Sequence, residues 1–157
     1  VIQAVDKIAV ETERDPLYFQ NLENSRSVSK EGVSNAITVA AREVADNINV
    51  KVICCFTHGG TTAELASRER PRAPIIALTP YIETARKLTL FWGLHCVVTT
   101  PVDRFKRAVI NAVKAAKLFG FASGKDLIIV IAGVPFNTPG STNILRVVSL
   151  NENFDDF

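Results

Sequence analysis

The stretch VKVICCFTHGGTT, residues 50–62, decides the fold. Its first part, residues 50–56, is a short apolar run of the kind that forms a buried strand. Turn-forming residues, His58, Gly59 and Gly60, close the run, and Thr61 opens a segment with helical spacing. The stretch therefore predicts a buried strand, a turn and the start of a helix.

The same alternation continues along the chain. Apolar periodicity predicts helices at residues 1–14, 33–48, 61–68, 82–91 and 102–119, and apolar runs predict strands at residues 50–56, 75–78, 96–98 and 127–132. Continuous Val, Ile and Leu runs between helices indicate a parallel sheet covered on both faces. The loop at 133–142 is too short for a helical crossover, so we expect residues 143–150 to form an antiparallel edge strand. The predicted fold class is α/β, a three-layer sandwich with a five-stranded, mostly parallel sheet.

The remaining segments are predicted from local composition. Asp15 and Pro16 are expected to end the first helix, and the polar residues 18–28 are expected to be irregular. Ser29 is a possible N-cap for the helix that begins at Val33. We expect residues 1–150 to form one domain and residues 151–157 to form a loose acidic tail. Because the sequence contains no methionine, Val1 is expected to be a cut point within a longer chain.

Composition excludes several classes of protein. With 47% hydrophobic and 22% charged residues, 157 residues can bury one core without disulfides or metals. The 18 Lys and Arg and 16 Asp and Glu are mixed along the chain, which indicates no nucleic-acid partner and no membrane surface. Cys54, Cys55 and Cys96 lie in apolar runs and are interpreted as buried thiols of a reducing compartment. No apolar stretch approaches the roughly 20 residues of a membrane span, so a soluble protein is predicted, and the reduced thiols indicate the cytoplasm.

The turn after the first strand is the best candidate for a binding site. Its glycines allow close approach of a ligand, the first N–H groups of the following helix lack partners, and the helix dipole favours negative charge. Together with three threonine hydroxyls these features suit a phosphate, although a tight turn with an N-cap threonine explains the same residues. The turn lacks the lysine of a P-loop and has no G-x-G-x-x-G motif.

A second candidate is the loop at residues 133–143, which is rich in Gly, Pro and hydroxyl side chains. It follows a parallel strand, so it should emerge at the same edge of the sheet as the first turn. If the first and fourth strands are neighbours, the two loops face each other across one crevice. His58 is either an anion contact or simply exposed, whereas His95 and Trp92 are expected to be structural. The chain has no paired carboxylates near its two histidines, so no metal site is predicted.

Five ordered segments carry a resemblance to a known family. They are FTHGGTTA at 56–63, SRERP at 67–71, APIIALT at 73–79, TAR at 84–86 and PGSTNILRV at 139–147. The chain resembles the carboxyl-terminal regulatory domain of pyruvate kinases from residue 1 almost to residue 150. The resemblance implies an α/β domain that carries part of a tetramer interface and, in many members, a site for a sugar-phosphate or nucleotide activator.

The resemblance also implies which residues bind the activator. The effector phosphate would be held by Thr57, His58, Gly59, Gly60, Thr61 and Thr62, and the closing loop would contribute Thr138, Gly140 and Ser141. Members that respond to fructose bisphosphate often have a tryptophan and an arginine near the region occupied here by residues 101–108. This sequence has no tryptophan there, and Arg107 is its candidate arginine, so the identity of the effector stays open. Arg104, Lys106 and Arg107 are otherwise expected to form a solvated helix face.

In pyruvate kinases the catalytic lysine and the Mg²⁺, K⁺ and nucleotide sites belong to a barrel that this sequence does not contain. The resemblance therefore implies that this chain alone has no catalytic residue and no cofactor. Its expected partners are a phosphorylated small molecule, the catalytic barrel of the parent enzyme and further copies of itself. A free-standing metabolite-sensing module is an alternative. An independent hydrolase would need a nucleophile–base pair at the sheet edge, and the sequence shows none.

Overall fold

The computed structural model describes residues 1–25, 31–136, 138 and 140–153. The chain forms two compact units, Val1–Lys30 and Glu31–Phe157. The first unit contains two helices, α1 (Ile2–Arg14) and α2 (Pro16–Ser25). In α1 no residue is buried, and its apolar residues Ile2, Val5 and Ile8 are exposed.

The prediction that residues 18–28 are irregular is wrong for residues 18–25, which belong to α2. The physical reason lies in Asp15 and Pro16. The side chain of Asp15 accepts a hydrogen bond from the N–H of Leu17 at 2.8 Å, and Pro16 occupies the first helical position, where its missing N–H costs nothing. The pair therefore ends one helix and begins the next. Ser29 and residues 26–28 lie outside the described residues.

The second unit carries the sheet. Its elements are α3 (Val33–Asn47), β1 (Val52–Phe56), α4 (Thr61–Arg68), β2 (Ile75–Thr79), α5 (Ile82–Leu88), β3 (Leu94–Val98), α6 (Phe105–Leu118), β4 (Leu127–Gly133) and β5 (Thr142–Ser149). The predicted order of helices and strands is confirmed. Two helix ends differ from the prediction by three residues: α5 ends at Leu88 and not at Phe91, and α6 begins at Phe105 and not at Val102.

The five strands form one sheet in the order β3-β2-β1-β4-β5. Neighbours among the first four strands pair in parallel, and β5 pairs antiparallel to β4. The α/β class and the antiparallel edge strand are therefore as predicted. In the centre of the sheet, Ile53 of β1 lies in register with Ile75 of β2 and with Ile129 of β4.

Helices cover both faces of the sheet, which makes three layers. On one face, alternate residues of β1 such as Val52 and Cys54 pack against α6. On the other, Ile53 and Cys55 pack with residues of α3, α4 and α5. Every residue of β1 is consequently buried, as expected for a central strand of a doubly covered parallel sheet.

This arrangement creates a switch in the direction of winding. The chain moves outward from β1 through β2 to β3 with α4 and α5 on one face, and then α6 returns it across the other face to β4, on the far side of β1. Loops that leave β1 and β4 at their carboxyl ends therefore diverge and leave a crevice between them. The crevice is the expected place for a ligand in a sheet of this kind.

The three cysteines have different environments. Cys54 and Cys55 are fully buried in β1, as predicted, and Cys96 is half-buried because β3 is an edge strand. Burial raises the pKa of the Cys54 thiol to about 12. Burial, and in addition the neighbouring Cys54, raise the pKa of Cys55 well above its usual value. Thiolates at these two positions are therefore strongly disfavoured at neutral pH.

Candidate functional site

Both predicted loops line one crevice at the carboxyl edge of the sheet. We call residues 57–60, between β1 and α4, the glycine loop, and residues 134–141, between β4 and β5, the closing loop. β1 and β4 are adjacent, as the two-loop prediction required. The described residues that line the crevice are Phe56, Thr57, His58, Gly59, Thr61, Thr62, Leu78, Pro80, Thr99, Thr100, Pro101, Val102, Gly133, Phe136, Thr138, Gly140, Ser141 and Thr142.

Thr57, the first residue of the glycine loop, stabilises the turn of the loop. The hydroxyl of Thr57 accepts a hydrogen bond from the N–H of Gly60 at 2.9 Å, and Thr57 itself is buried. Gly60 has a left-handed φ of 102°, which favours glycine, and a Cβ there would lie in tight contact with Leu88, 3.2 Å from its Cδ2. A Cβ at Gly59, by contrast, would meet nothing within 4 Å. Gly59 is therefore the open point of the loop toward the crevice.

His58 is held by its backbone and exposed at its side chain. The hydroxyl of Thr84 donates to the carbonyl of His58 at 3.0 Å, which ties the loop to α5. The His58 ring lies 4.5 Å from the ring of Tyr81, centroid to centroid. The imidazole of His58 therefore lines the crevice and packs against the ring of Tyr81.

The amino end of α4 points its N–H groups toward this loop. The carbonyl of Gly60 accepts the first intrahelical bond, from the N–H of Glu64 at 2.9 Å. The N–H groups of residues 61–63 come before that bond, so the helix offers them no acceptor, and the positive end of the helix dipole lies with them. Thr61 is exposed there, and its hydroxyl adds a further hydrogen-bonding group.

Thr62 has a protein partner. Its hydroxyl oxygen lies 2.6 Å from that of Thr142, the first residue of β5, and both side chains are buried. This contact joins the start of α4 to the end of the closing loop. Thr62 and Thr142 both line the crevice and are joined by this hydrogen bond.

Hydrogen bonds within the closing loop and to Asn143 hold its described residues in place. A Cβ at Gly133 would lie only 2.8 Å from the carbonyl oxygen of Ser141, so the two ends of the loop approach too closely for any side chain at Gly133. The hydroxyl of Ser141 donates to the carbonyl of Thr138 at 2.8 Å. The side chain of Asn143 accepts from the N–H of Val134 at 2.9 Å and donates to the carbonyl of Val134 at 2.6 Å.

Eight of the nine predicted site residues line the crevice, and the ninth, Gly60, faces Leu88 and Thr84 of α5 instead. Sequence reasoning missed Ser34, Thr142 and Asn143 as supports of the closing loop. Asn143 could have been found, because amide side chains in Gly- and Pro-rich loops commonly bond to nearby backbone. Ser34 gives no such signal, because it lies on α3, far from the loop in the sequence.

The charge of the crevice is unusual for an anion site. Among the described lining residues there is no Lys, Arg, Asp or Glu. Hydroxyls, N–H groups and the helix dipole would have to hold a phosphate. A neighbouring cavity shares residues 100–102 with the crevice and contains Arg107 and Lys114. Arg107 lies 3.4 Å from the carboxylate of Asp103.

Within the described part of the chain, no group of three or more His, Cys, Asp or Glu side chains is placed to hold a metal ion. The described helices also include none that is both long enough and apolar enough to cross a membrane.

The fold is a doubly wound α/β domain, and its candidate site lies at the switch point of the sheet. Residues 35–148 match the family described as pyruvate kinase, alpha/beta domain. The chain therefore belongs to the pyruvate kinase family, and the resemblance seen in the sequence is confirmed.

Individual relatives agree with this assignment. The chain is 40% identical to a pyruvate kinase of Methylorubrum extorquens over 93% of its length, and 36% identical to one of Staphylococcus aureus over the same share. It spans 30% and 25% of those two proteins. The crystal structure of a pyruvate kinase from Cryptosporidium parvum superposes with a TM-score of 0.70 at 30% identity, covering 77% of this chain and 23% of the other.

Proposed function

We propose that this chain is the regulatory and assembly domain of a pyruvate kinase and that it binds a phosphorylated effector in the crevice. The main support for the proposal is that three parts of the domain line the same crevice. The glycine loop, the amino end of α4 and the closing loop all line a single cavity that has no acidic residue among its described walls. The full enzyme of the family would transfer a phosphoryl group from phosphoenolpyruvate to ADP.

The strength of such a site can be bounded. A hydrogen bond to a charged group contributes about 1.5–3 kcal/mol, and two or three of them are available from the N–H groups of α4 and from Thr61. Ordering the ligand removes part of this free energy. Binding with a dissociation constant on the order of micromolar to millimolar is therefore expected.

Calorimetric titration tests the proposal. Glucose 6-phosphate, fructose 1,6-bisphosphate, AMP and inorganic phosphate are titrated into the purified chain and into two variants. Thr61→Val should weaken binding of a phosphate ester about tenfold, because it removes one hydroxyl that bonds to a charged group. Thr89→Val is the matched control, since the Thr89 hydroxyl bonds to the carbonyl of Arg86 outside the crevice. Equal affinity in wild type and Thr61→Val would place the ligand elsewhere.

Catalysis is assigned to the barrel of the parent enzyme. Among the described lining residues of the crevice, no hydrogen bond joins the His58 ring to a hydroxyl or thiol, and the Cys54 and Cys55 thiols are buried in the core with raised pKa values. The isolated chain is therefore expected to give no pyruvate from phosphoenolpyruvate and ADP with Mg²⁺ and K⁺. Turnover above a mock purification would contradict this part of the proposal.

The sheet has two edge strands, β3 and β5, and we propose that assembly uses β5, because its eight residues form a longer edge than the five of β3. Among the described strands β5 pairs with β4 alone, and Val147 on β5 is partly exposed. An unprotected edge strand offers unpaired N–H and C=O groups to a second copy. Sedimentation velocity at increasing concentration should show self-association that Val147→Lys abolishes. Val98→Lys, on the opposite edge strand β3, is the control and should leave association unchanged.

A further inference from the structure

Ser34 connects α3 to the closing loop. Its hydroxyl donates to the carbonyl of Gly140 at 2.8 Å and lies 3.4 Å from the carbonyl of Thr142. Ser34 is in the first turn of α3, more than a hundred positions before these acceptors. It is not a lining residue of the crevice, so any effect it has on a ligand must pass through the loop.

The segment that Ser34 holds is the rim of the crevice. Gly140, Ser141 and Thr142 all line it, and Gly140 turns the chain with a φ of 73°. The same short segment is held on its other side by the hydroxyl contact between Thr142 and Thr62 of α4. Two helices therefore fix three consecutive residues of the rim, α3 through Ser34 and α4 through Thr62.

We propose that Ser34 is a positioning residue that keeps residues 140–142 at the rim of the crevice. The inference rests on the proposed binding of a phosphorylated ligand there. Without the Ser34 hydroxyl, the Gly140 carbonyl bonds to water and the rim spends more time away from the crevice. Because affinity scales with the fraction of molecules in the binding-competent state, the ligand then binds more weakly without losing any direct contact.

Three variants test this inference by titration with fructose 1,6-bisphosphate and with inorganic phosphate. Ser34→Ala should weaken binding about threefold to tenfold, the effect of one neutral hydrogen bond. Ser34→Thr keeps the hydroxyl and should restore affinity. Ser149→Ala removes a serine hydroxyl at the opposite end of β5, 3.5 Å from the carbonyl of Lys125, and should have no effect.

Hydrogen exchange without ligand separates positioning from general stability. In Ser34→Ala the amides of residues 140–142 should exchange faster, while those of β1 and the melting temperature stay as in the wild type. If the wild type binds and Ser34→Ala binds equally well with unchanged exchange, the positioning role is wrong and the proposed function stands. If the wild type binds none of the phosphate compounds, the proposed function fails, and unchanged exchange in Ser34→Ala would then overturn the tether as well.

Discussion

The hydroxyl oxygens of Thr62 and Thr142 lie 2.6 Å apart in the buried wall of the crevice, although 80 positions separate the two residues in the sequence. One hydrogen bond between two hydroxyls uses one of their two protons. The pair therefore links α4 to β5 and still has one proton to donate. A bond of this kind couples the helix that would receive a phosphate to the loop that would cover it.

A double-mutant cycle should reveal this coupling. Thr62→Val or Thr142→Val leaves the remaining hydroxyl buried without its partner, which should lower the free energy of unfolding by about 1–3 kcal/mol. The double variant should be destabilised by less than the sum of the two, with a coupling energy of about 1 kcal/mol. Urea unfolding of the four proteins measures it. Strict additivity would show that the hydroxyls contribute independently.

Much of the fold could be predicted from local patterns. The helix at residues 61–68 was predicted with its observed bounds, because Gly60 marks its start and the apolar spacing within it is regular. The antiparallel edge strand followed from the length of the preceding loop. Helix α2 was missed, because Asp15 and Pro16 were interpreted only as a stop, whereas Asp at an N-cap and Pro at the first helical position are also start signals.

The site was only partly predictable for a different reason. The glycine loop is local in sequence, so its residues and its place before α4 could be identified. The partners of the loop depend on tertiary packing: Thr84 reaches the carbonyl of His58 from α5, and Ser34 reaches Gly140 from α3. No spacing in the sequence encodes such pairs, because each depends on where two helices lie against the sheet.

A side chain at Gly133 should displace the closing loop. In Gly133→Ala the new Cβ would lie 2.8 Å from the carbonyl oxygen of Ser141, so backbone has to move. The free energy of unfolding should fall by about 1–3 kcal/mol, and any phosphate binding should weaken with it. Gly59→Ala is the control, because a Cβ there meets nothing and the expected change is within about 0.5 kcal/mol. Equal stability of both variants would contradict the close approach of Gly133 and Ser141.

The buried thiols should make the protein sensitive to alkaline pH. The pKa of Cys54 is raised from 9.0 to about 12, so above pH 9.0 the unfolded chain loses this proton before the folded one does. The stability that Cys54 contributes is then present below pH 9.0 and falls as pH rises toward 12, by about 1.4 kcal/mol per pH unit. Cys54→Ala should flatten this decline relative to the wild type in urea unfolding between these limits. An identical slope in both proteins would contradict the assignment.

The last prediction concerns how many phosphates the effector carries. The crevice has no Lys or Arg among its described lining residues, and the adjoining cavity supplies Arg107, which is exposed and lies near Asp103. Ion pairs at exposed sites contribute about 0–1 kcal/mol, so a second phosphate placed beside Arg107 gains little. Fructose 1,6-bisphosphate should therefore bind at most about fivefold more tightly than glucose 6-phosphate.

Two variants test the role of Arg107. Arg107→Ala should remove that difference in affinity and leave the binding of glucose 6-phosphate unchanged. Arg86→Ala is the control and should change neither affinity, because Arg86 is exposed and pairs with Glu83 on α5. A bisphosphate preference of a hundredfold that survives in Arg107→Ala would mean that another group of the chain holds the second phosphate.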